Sequence, residues 1–472
     1  MKLLLLLLSV CSCYSLFAKV TVPSIISNNM VLQQNTNVDL WGNADPCEKI
    51  FIEVSWSNSI KEITALSNGK WRTKIKTPKA CKNQYIIIKG ENTITIKNVL
   101  IGEVWLCTGQ SNMVFPVGKQ KIKWQTGMLT ADEELNDSNY PEMRFFSVKY
   151  NLAPDGEKDN CEGEWLICNK NSAYDFSAVG FVFGRRIHKE LNVPVGLILS
   201  AKGDTHVESW TKMSVMLNNP LYSDVLDDFS TKKIKQDKLY KVPSTLWNGM
   251  ICPILGYTVK GNIWYQGEAN ATRYKQYQQV FTNMIESWRK EWGLPNMPFY
   301  YVQIAPFKDQ PAGIREAQLK TWQSNLNNIG MVVITDAGDS LDIHPRNKRV
   351  VGERLALWAL NKQYQRNVAY SGPLFKSMKK KDNKLILKFQ YAKNGFKTIN
   401  NEPIIGFYVA GNDKVFYKAT ALIKGKKIEV FSSQVKNPIA VRYGFSNFFH
   451  VNLYNTEGLP LVPFRSDTWE LF

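Results

Sequence analysis

Four short segments carry side chains whose types and spacing suit ester cleavage. They are Gly109-Gln110-Ser111-Asn112-Met113, Ala201-Lys202-Gly203-Asp204-Thr205-His206, Gln266-Gly267-Glu268-Ala269-Asn270, and the stretch from Asp336 to Pro345 that holds Asp339, Asp342 and His344. Together they offer a hydroxyl, glycine amides, a carboxamide and an Asp/His pair, which are the parts of a serine hydrolase. A serine nucleophile needs a base that titrates near neutrality, and imidazole is the usual one. The chain has only four histidines. His188 lies in an amphipathic Arg-Arg-Ile-His-Lys run and reads as a helix-surface residue. His450 follows Phe448 and Phe449 in a β-patterned region and reads as structural. His206 stands close to a strand end, within reach of a substrate. His344 has an aspartate two residues before it and a proline after it, at a strand-to-helix junction, and is the expected base. Ser111 follows an apolar run with Gly109 two residues before it. The second glycine of a Gly-x-Ser-x-Gly elbow is replaced by Met113, so the local pattern is also that of an ordinary turn.

The elements that must position these residues follow from periodicity. Between 101 and 361, strand-like runs (104–108, 194–200, 259–265, 299–304, 331–335) alternate with helical ones (181–191, 274–292, 347–360). That is the βαβ rhythm of a parallel sheet, and ligand sites in such sheets lie at the carboxyl ends of the strands. Each reactive segment sits just past a predicted strand, so parallel strands bring them to one edge. Before this region, from 20 to 100, short alternating strands recur every 8 to 12 residues with turns at 44–46, 67–69 and 90–92, as in a β-sandwich. After it the chain returns to β pattern at 385–389, 404–409, 415–421 and 428–431. The expected organisation is an export segment at 1–18, a β-sandwich at 19–100, an α/β domain at 101–365 and a β-rich domain at 366–472.

Composition agrees with a globular chain. There are 472 residues, of which 44% are hydrophobic, 21% charged and 12% aromatic, unlike disordered, collagenous or coiled-coil chains. The one long apolar run is at the N-terminus, where Lys2, residues 3–10 and small residues up to Ala18 read as an export signal. It is too short to span a bilayer. The expected location is periplasmic or secreted, with a lipoprotein anchored at Cys11 or Cys13 as a weaker fit. Six further cysteines form no Cys-x-x-Cys pair and no His cluster, which speaks against zinc. Cys161 with Cys168 and Cys47 with Cys81 are the pairs to test as disulfides, with buried free thiols as the alternative. Net charge is +18, and residues 366–472 hold 17 Lys and Arg against 7 Asp and Glu, a balance of +10. A lysine-rich β domain has solvated outer faces, or holds an anionic glycan or membrane surface. No nucleic-acid motif is present.

At this point the residues carry a resemblance. The run from Ile101 through Gly109-Gln110-Ser111-Asn112-Met113 is similar to the first block of the sialate O-acetylesterase family, a branch of the SGNH hydrolases. Trp264 to Asn270 (WYQGEAN), Asp342 to Lys348 (DIHPRNK), Tyr443-Gly444-Phe445 and Asn455 to Pro460 resemble its later blocks, in order. The resemblance implies an exported carbohydrate O-acetylesterase whose flavodoxin-like, three-layer SGNH domain is flanked by β-sandwich domains. Acetylated sialosides are the implied substrate, with acetylated xylan or another plant glycan as the alternative and a non-catalytic glycan-binding protein as the rival from another class. Carried over by position, Ser111 is the nucleophile and His344 the base. The amides of Ser111 and Gly203 and the side chain of Gln266 form the oxyanion hole. The acid is Asp342, with Asp339 or a Ser-His dyad as alternatives, because Leu341 stands where the wider group places aspartate. Gln110, Asn112, Glu268 and Arg315 are candidate substrate contacts, with Gln318 beside them, and 119–139 is a candidate specificity loop. No metal, cofactor, nucleic acid or membrane span is implied, and oligomeric state is not legible. Asn270-Ala271-Thr272 is a glycosylation acceptor beside the site. A glycan there would obstruct the cleft, which favours a bacterial, periplasmic source.

Overall fold

The computed structural model describes residues 19–231 and 235–471. The expected export segment, residues 1–18, lies outside the described residues.

Seven strands build the central sheet: β1 (Thr93–Gly109), β2 (Tyr140–Ser147), β3 (Trp165–Cys168), β4 (Val195–Ala201), β5 (Gly261–Tyr265), β6 (Phe299–Val302) and β7 (Ile329–Val332). Their order is β7-β6-β5-β1-β4-β2-β3. All neighbours are parallel except β3, which pairs antiparallel with β2 at one edge. Strands buried on both faces read as continuous apolar runs, and residues 261–265 and 299–302 are buried throughout. Helices α1 (Ala178–Leu191), α2 (Tyr274–Glu291), α3 (Ala312–Trp322) and α4 (Lys348–Lys362) cover the sheet. The molecule is therefore mixed α/β around a central mixed sheet. Chain order reverses at β1, since β2 and β4 lie on one side of it and β5 to β7 on the other. The carboxyl end of β1 is thus the topological switch point, where such sheets leave a crevice.

The break expected at 101 is not a linker. β1 is one 17-residue strand that pairs antiparallel with Cys81–Lys89 over its first half and parallel with β4 and β5 over its second. Asn98 takes φ 54°, and the ladder resumes beyond a register shift there. That is a bulge rather than an end.

The remaining strands sit at either end. In the N-terminal part, Asn37–Asn43 pairs with Lys70–Lys76, and burial alternates along both. This is the pattern of a strand with one face on a core. Its buried residues, such as Ile50, Ile52 and Ile88, belong to the same apolar core as the central sheet. The C-terminal part holds two four-stranded sheets around a separate core that includes Leu387, Val409, Ile428, Val441 and Phe464. Lys376, Lys379, Lys380, Lys381 and Lys388 all point to solvent.

Neither candidate disulfide forms: all six described cysteines are free thiols, the alternative the sequence left open. Cys168 is buried with its sulfur on the carbonyl of Ser138, while Cys47 is exposed at a left-handed turn position. No helix among the described residues is long and apolar enough to cross a membrane.

Candidate active site

The site is built where β1 ends. Gly109 has φ 136°, and a Cβ there would lie 2.2 Å from the Tyr265 carbonyl oxygen. Only glycine lets the chain leave the sheet so tightly against β5. Gln110 N still donates to Tyr265 O at 2.9 Å, and Ser111 then opens the one-turn helix Ser111–Val114. The second wall is the segment after β4. Lys202 N bonds Gly109 O, and a Cβ on Gly203 would lie 3.3 Å from Ser111 Cβ, so the Gly203 backbone backs directly onto the serine. The third wall follows β7. Arg354 of α4 holds Asp336 through two bonds of 2.7 Å and also donates to Val333 O. This anchors the loop that carries His344.

There the reactive pair meets. His344 Nε2 and Ser111 Oγ are 2.9 Å apart. Asp342 Oδ1 accepts the His344 backbone N–H at 2.8 Å and lies 3.6 Å from Nδ1, close enough to act on the ring electrostatically but too far for a hydrogen bond. Asp339 instead takes the backbone N–H of Leu341, so Asp342 is the carboxylate beside the imidazole. The Trp124 ring packs on the imidazole with centroids 4.8 Å apart. Burial and the nearby Lys348 ammonium push the imidazole down to about 4, against the opposing pull of Asp342. At neutral pH it is therefore a neutral base, ready to accept a proton from the serine hydroxyl.

Several residues expected at the substrate are spent elsewhere. Gln266 is fully buried, and its Nε2 donates to Thr205 O at 3.0 Å and Asn270 Oδ1 at 2.7 Å, while Tyr277 OH donates to its Oε1. It has no hydrogen left for an oxyanion. Asn112 is 1% exposed, and its Nδ2 donates to Glu268 Oε1 at 2.6 Å and Ile343 O at 3.1 Å. It ties the site together from behind instead of facing substrate. Glu268, buried and bonded to Asn112, also supports from within. Arg315 is 1% exposed, donates to Ser446 O and lies over the Phe449 ring, so it braces the C-terminal part and does not reach a sugar. Burial draws its guanidinium down to about 9. Gln318 is buried on Gln266 O, Val302 O and Ile304 N. Asn270 donates to Glu208 Oε2, which closes it to a glycan. Gln110 differs from these. Its Oε1 takes two long contacts from Gly267 N and Ala269 N at 3.4 Å, while its Nε2 bonds no described residue.

His188 bonds Val193 O at the end of α1 and His450 packs on Phe448, both apart from the pair. His206, half-buried beside Glu208, Arg273, Lys241 and Asp204, is pushed down by burial. Two residues at the site carried no expectation. Trp124 lies in the 119–139 loop, where residue type alone did not single it out. Lys348 closes the block containing His344 and is completely buried, with its Nζ donating to Asn112 Oδ1. Among the described residues no group of three His, Cys, Asp or Glu is arranged to hold a metal ion.

Residues 101–361 match the family described as carbohydrate esterase, sialic acid-specific acetylesterase. The chain is 27% identical to the sialate O-acetylesterase of Mus musculus, over 75% of this chain and 76% of that one. It is also 27% identical to the human sialate O-acetylesterase, over 78% and 76%. Among solved structures, a carbohydrate acetylesterase from Xanthomonas citri superposes with a TM-score of 0.86 at 32% identity, covering 95% of this chain and 100% of that one. The chain belongs to the carbohydrate esterase family of sialic acid-specific acetylesterases.

Proposed function

We propose that this protein is a serine-dependent carbohydrate O-acetylesterase that removes O-acetyl groups from sialosides and releases acetate. The observation that carries the reading is the 2.9 Å contact between Ser111 Oγ and the Nε2 of a neutral, half-buried His344 at the switch point of the sheet.

The steps follow from the geometry. His344 Nε2 takes the Ser111 proton as Oγ attacks the acetyl carbonyl. The negative charge that develops on the carbonyl oxygen is held by the amides of Ser111 and Gly203, and each such donor is worth about 10²–10³ in rate. With Gln266 committed elsewhere, the side-chain amide of Gln110 supplies the remaining donor or a substrate contact. The tetrahedral intermediate collapses, the sugar alkoxide leaves with the proton from His344, and an acetyl-serine remains. Water, deprotonated by His344, attacks it and frees acetate and Ser111. Asp342 favours the imidazolium that forms in each step. The finer architecture belongs to this proposal too. It is a flavodoxin-like three-layer domain at 101–365, joined through β1 and a shared core to a β-sandwich unit at 19–100 and followed by a second at 366–472, in a chain exported to the periplasm or secreted after loss of residues 1–18.

The test is acetate release by the purified protein from 9-O-acetylated sialosides, acetylated xylan and an aryl acetate, beside Ser111→Ala. Release from sialosides well above xylan, abolished in Ser111→Ala with an unchanged melting transition, is the expected result. Stronger release from xylan would move the substrate to plant glycans. Activity surviving in Ser111→Ala would refute the nucleophile.

A further inference from the structure

Behind the serine and histidine lies a buried polar cluster that ester hydrolysis itself does not use. Lys348, at the start of α4, is 0% exposed. Its Nζ donates to Asn112 Oδ1 and sits over the rings of Phe115 and Tyr265, at 4.7 and 5.3 Å. On the other side of Asn112 is Glu268, whose second carboxylate oxygen is buried with no hydrogen-bond partner among the described residues. The three residues come from three of the segments that meet at the site. A buried lysine and carboxylate bridged by a carboxamide are costly to desolvate, and apolar side chains of the same volume usually serve stability as well or better. Packing therefore does not account for them.

We propose that Lys348 is a positioning residue of the Ser111–His344 pair, acting through Asn112 on the chain at both residues and through its charge on the imidazole. The inference rests on reading Ser111 as nucleophile and His344 as base. Asn112 directly follows Ser111, and its Nδ2 bonds the carbonyl of Ile343, which directly precedes His344. One carboxamide thus sets the spacing of the two reacting side chains. Its orientation is decided by Lys348. An ammonium has only hydrogens to donate, so Oδ1 must face it and Nδ2 must face Glu268 and Ile343 O. The charge acts in parallel. The groups that face His344 are Lys348 from α4, Asp342 from its own loop and the Ser111 hydroxyl, with the uncharged Trp124 ring over it. Glu268 and Asp342 face Lys348 in turn, and burial draws the ammonium down to about 7. The positive charge disfavours the imidazolium in the resting enzyme and keeps the base unprotonated in mildly acid solution.

The experiment is the pH dependence of aryl acetate hydrolysis by the wild type, Lys348→Met, Asn112→Ala and the double variant Lys348→Met/Glu268→Gln, each with its melting temperature. Lys348→Met is expected to lower kcat about tenfold or more with KM within about threefold. It should also move the acid limb of kcat/KM up by roughly one pH unit. Asn112→Ala should lower kcat to a similar degree and leave the acid limb in place, because both charges remain. The single lysine variant leaves Glu268 as a lone buried charge and is expected to melt early, whereas the double variant removes both charges and should regain most of the melting temperature. A purely structural lysine would regain its kinetics in the double variant as well. Wild-type kcat and an unmoved acid limb in that variant overturn the proposal, and wild-type kcat in Asn112→Ala overturns its positioning half. Ser111→Ala and labelling of Ser111 by a fluorophosphonate separate the two levels. If Ser111→Ala keeps its activity, the esterase reading at this site falls whatever Lys348 does.

Discussion

At His344, burial and the Lys348 charge act against protonation and Asp342 acts for it, and the result is a ring that titrates at about 4 instead of 6.5. A base with that value stays neutral through the mildly acid range, so kcat/KM should hold from neutrality down to about pH 5 and fall as pH drops through about 4. The sign for stability is the same. The folded ring binds a proton more weakly than the unfolded one, so its contribution is fully present above 6.5 and is lost as pH falls from there through about 4. Asp342→Asn removes the one group that favours the imidazolium. It should shift the acid limb to lower pH and cut kcat/KM roughly tenfold, since a carboxylate 42% exposed and 3.6 Å away acts partly through solvent. An acid limb unchanged in Asp342→Asn would make the site a Ser-His dyad. At this scale Ser111 and His344 were legible because a histidine-poor chain leaves few bases and the blocks fall in order. Gln266, Asn112 and Arg315 were misplaced because residue type tells which donors exist, not where their hydrogens are spent. Lys348 was hidden among 59 lysines and arginines whose usual place is the surface.

Elements turn those residues toward one another, and the tightest join is where β1 gives way to Ser111. Gly109→Ala places a methyl 2.2 Å from the Tyr265 carbonyl at a φ of 136° that alanine does not adopt. β1 and β5 must part, or the turn must unwind. The expected cost is about 3 kcal/mol or more, read as a lower urea midpoint, together with a loss of kcat because Ser111 moves with the turn. A variant within about 1 kcal/mol of the wild type would mean that the turn has slack and is not what aims the serine. The alternation of strands and helices from 101 to 361 was readable, since buried parallel strands are unbroken apolar runs. The short strands Tyr140–Ser147 and Trp165–Cys168 were not recognised, and β1 was read as two pieces. A change from short alternating runs to a continuous apolar run looks like the end of a strand, although one strand crosses it through a bulge at Asn98.

Over the whole molecule, the change of pattern marked the β-rich stretches on either side of the central sheet, but not which parts share a core. The N-terminal strands feed the same apolar core as the central sheet, and β1 runs through both. The C-terminal sheets enclose their own. They meet the rest through mixed contacts: Arg465 on Glu316 of α3 at 2.7 and 3.0 Å, Asn447 on Lys308 O and Arg315 on Ser446 O, together with Leu374 and Val462, which join the shared apolar core, and Tyr391 stacked on Trp322. A junction with only a few apolar residues couples two units less than a continuous core does. Two calorimetric transitions are therefore expected. Leu387→Ala, buried in the C-terminal core, should cost about 2–5 kcal/mol and lower only the transition that leaves activity intact on cooling and reassay. Ile198→Ala in β4 and Ile88→Ala in the N-terminal sheet, both buried in the shared core, should lower the other transition together, and with it the temperature at which esterase activity is lost. If Ile88→Ala moved a transition apart from activity loss, β1 would not unite the first two parts. If all three variants lowered one common transition, the contacts of Arg465, Asn447 and Arg315, with Leu374 and Val462 in the shared core, would bind the C-terminal sheets strongly enough to make the chain a single cooperative unit.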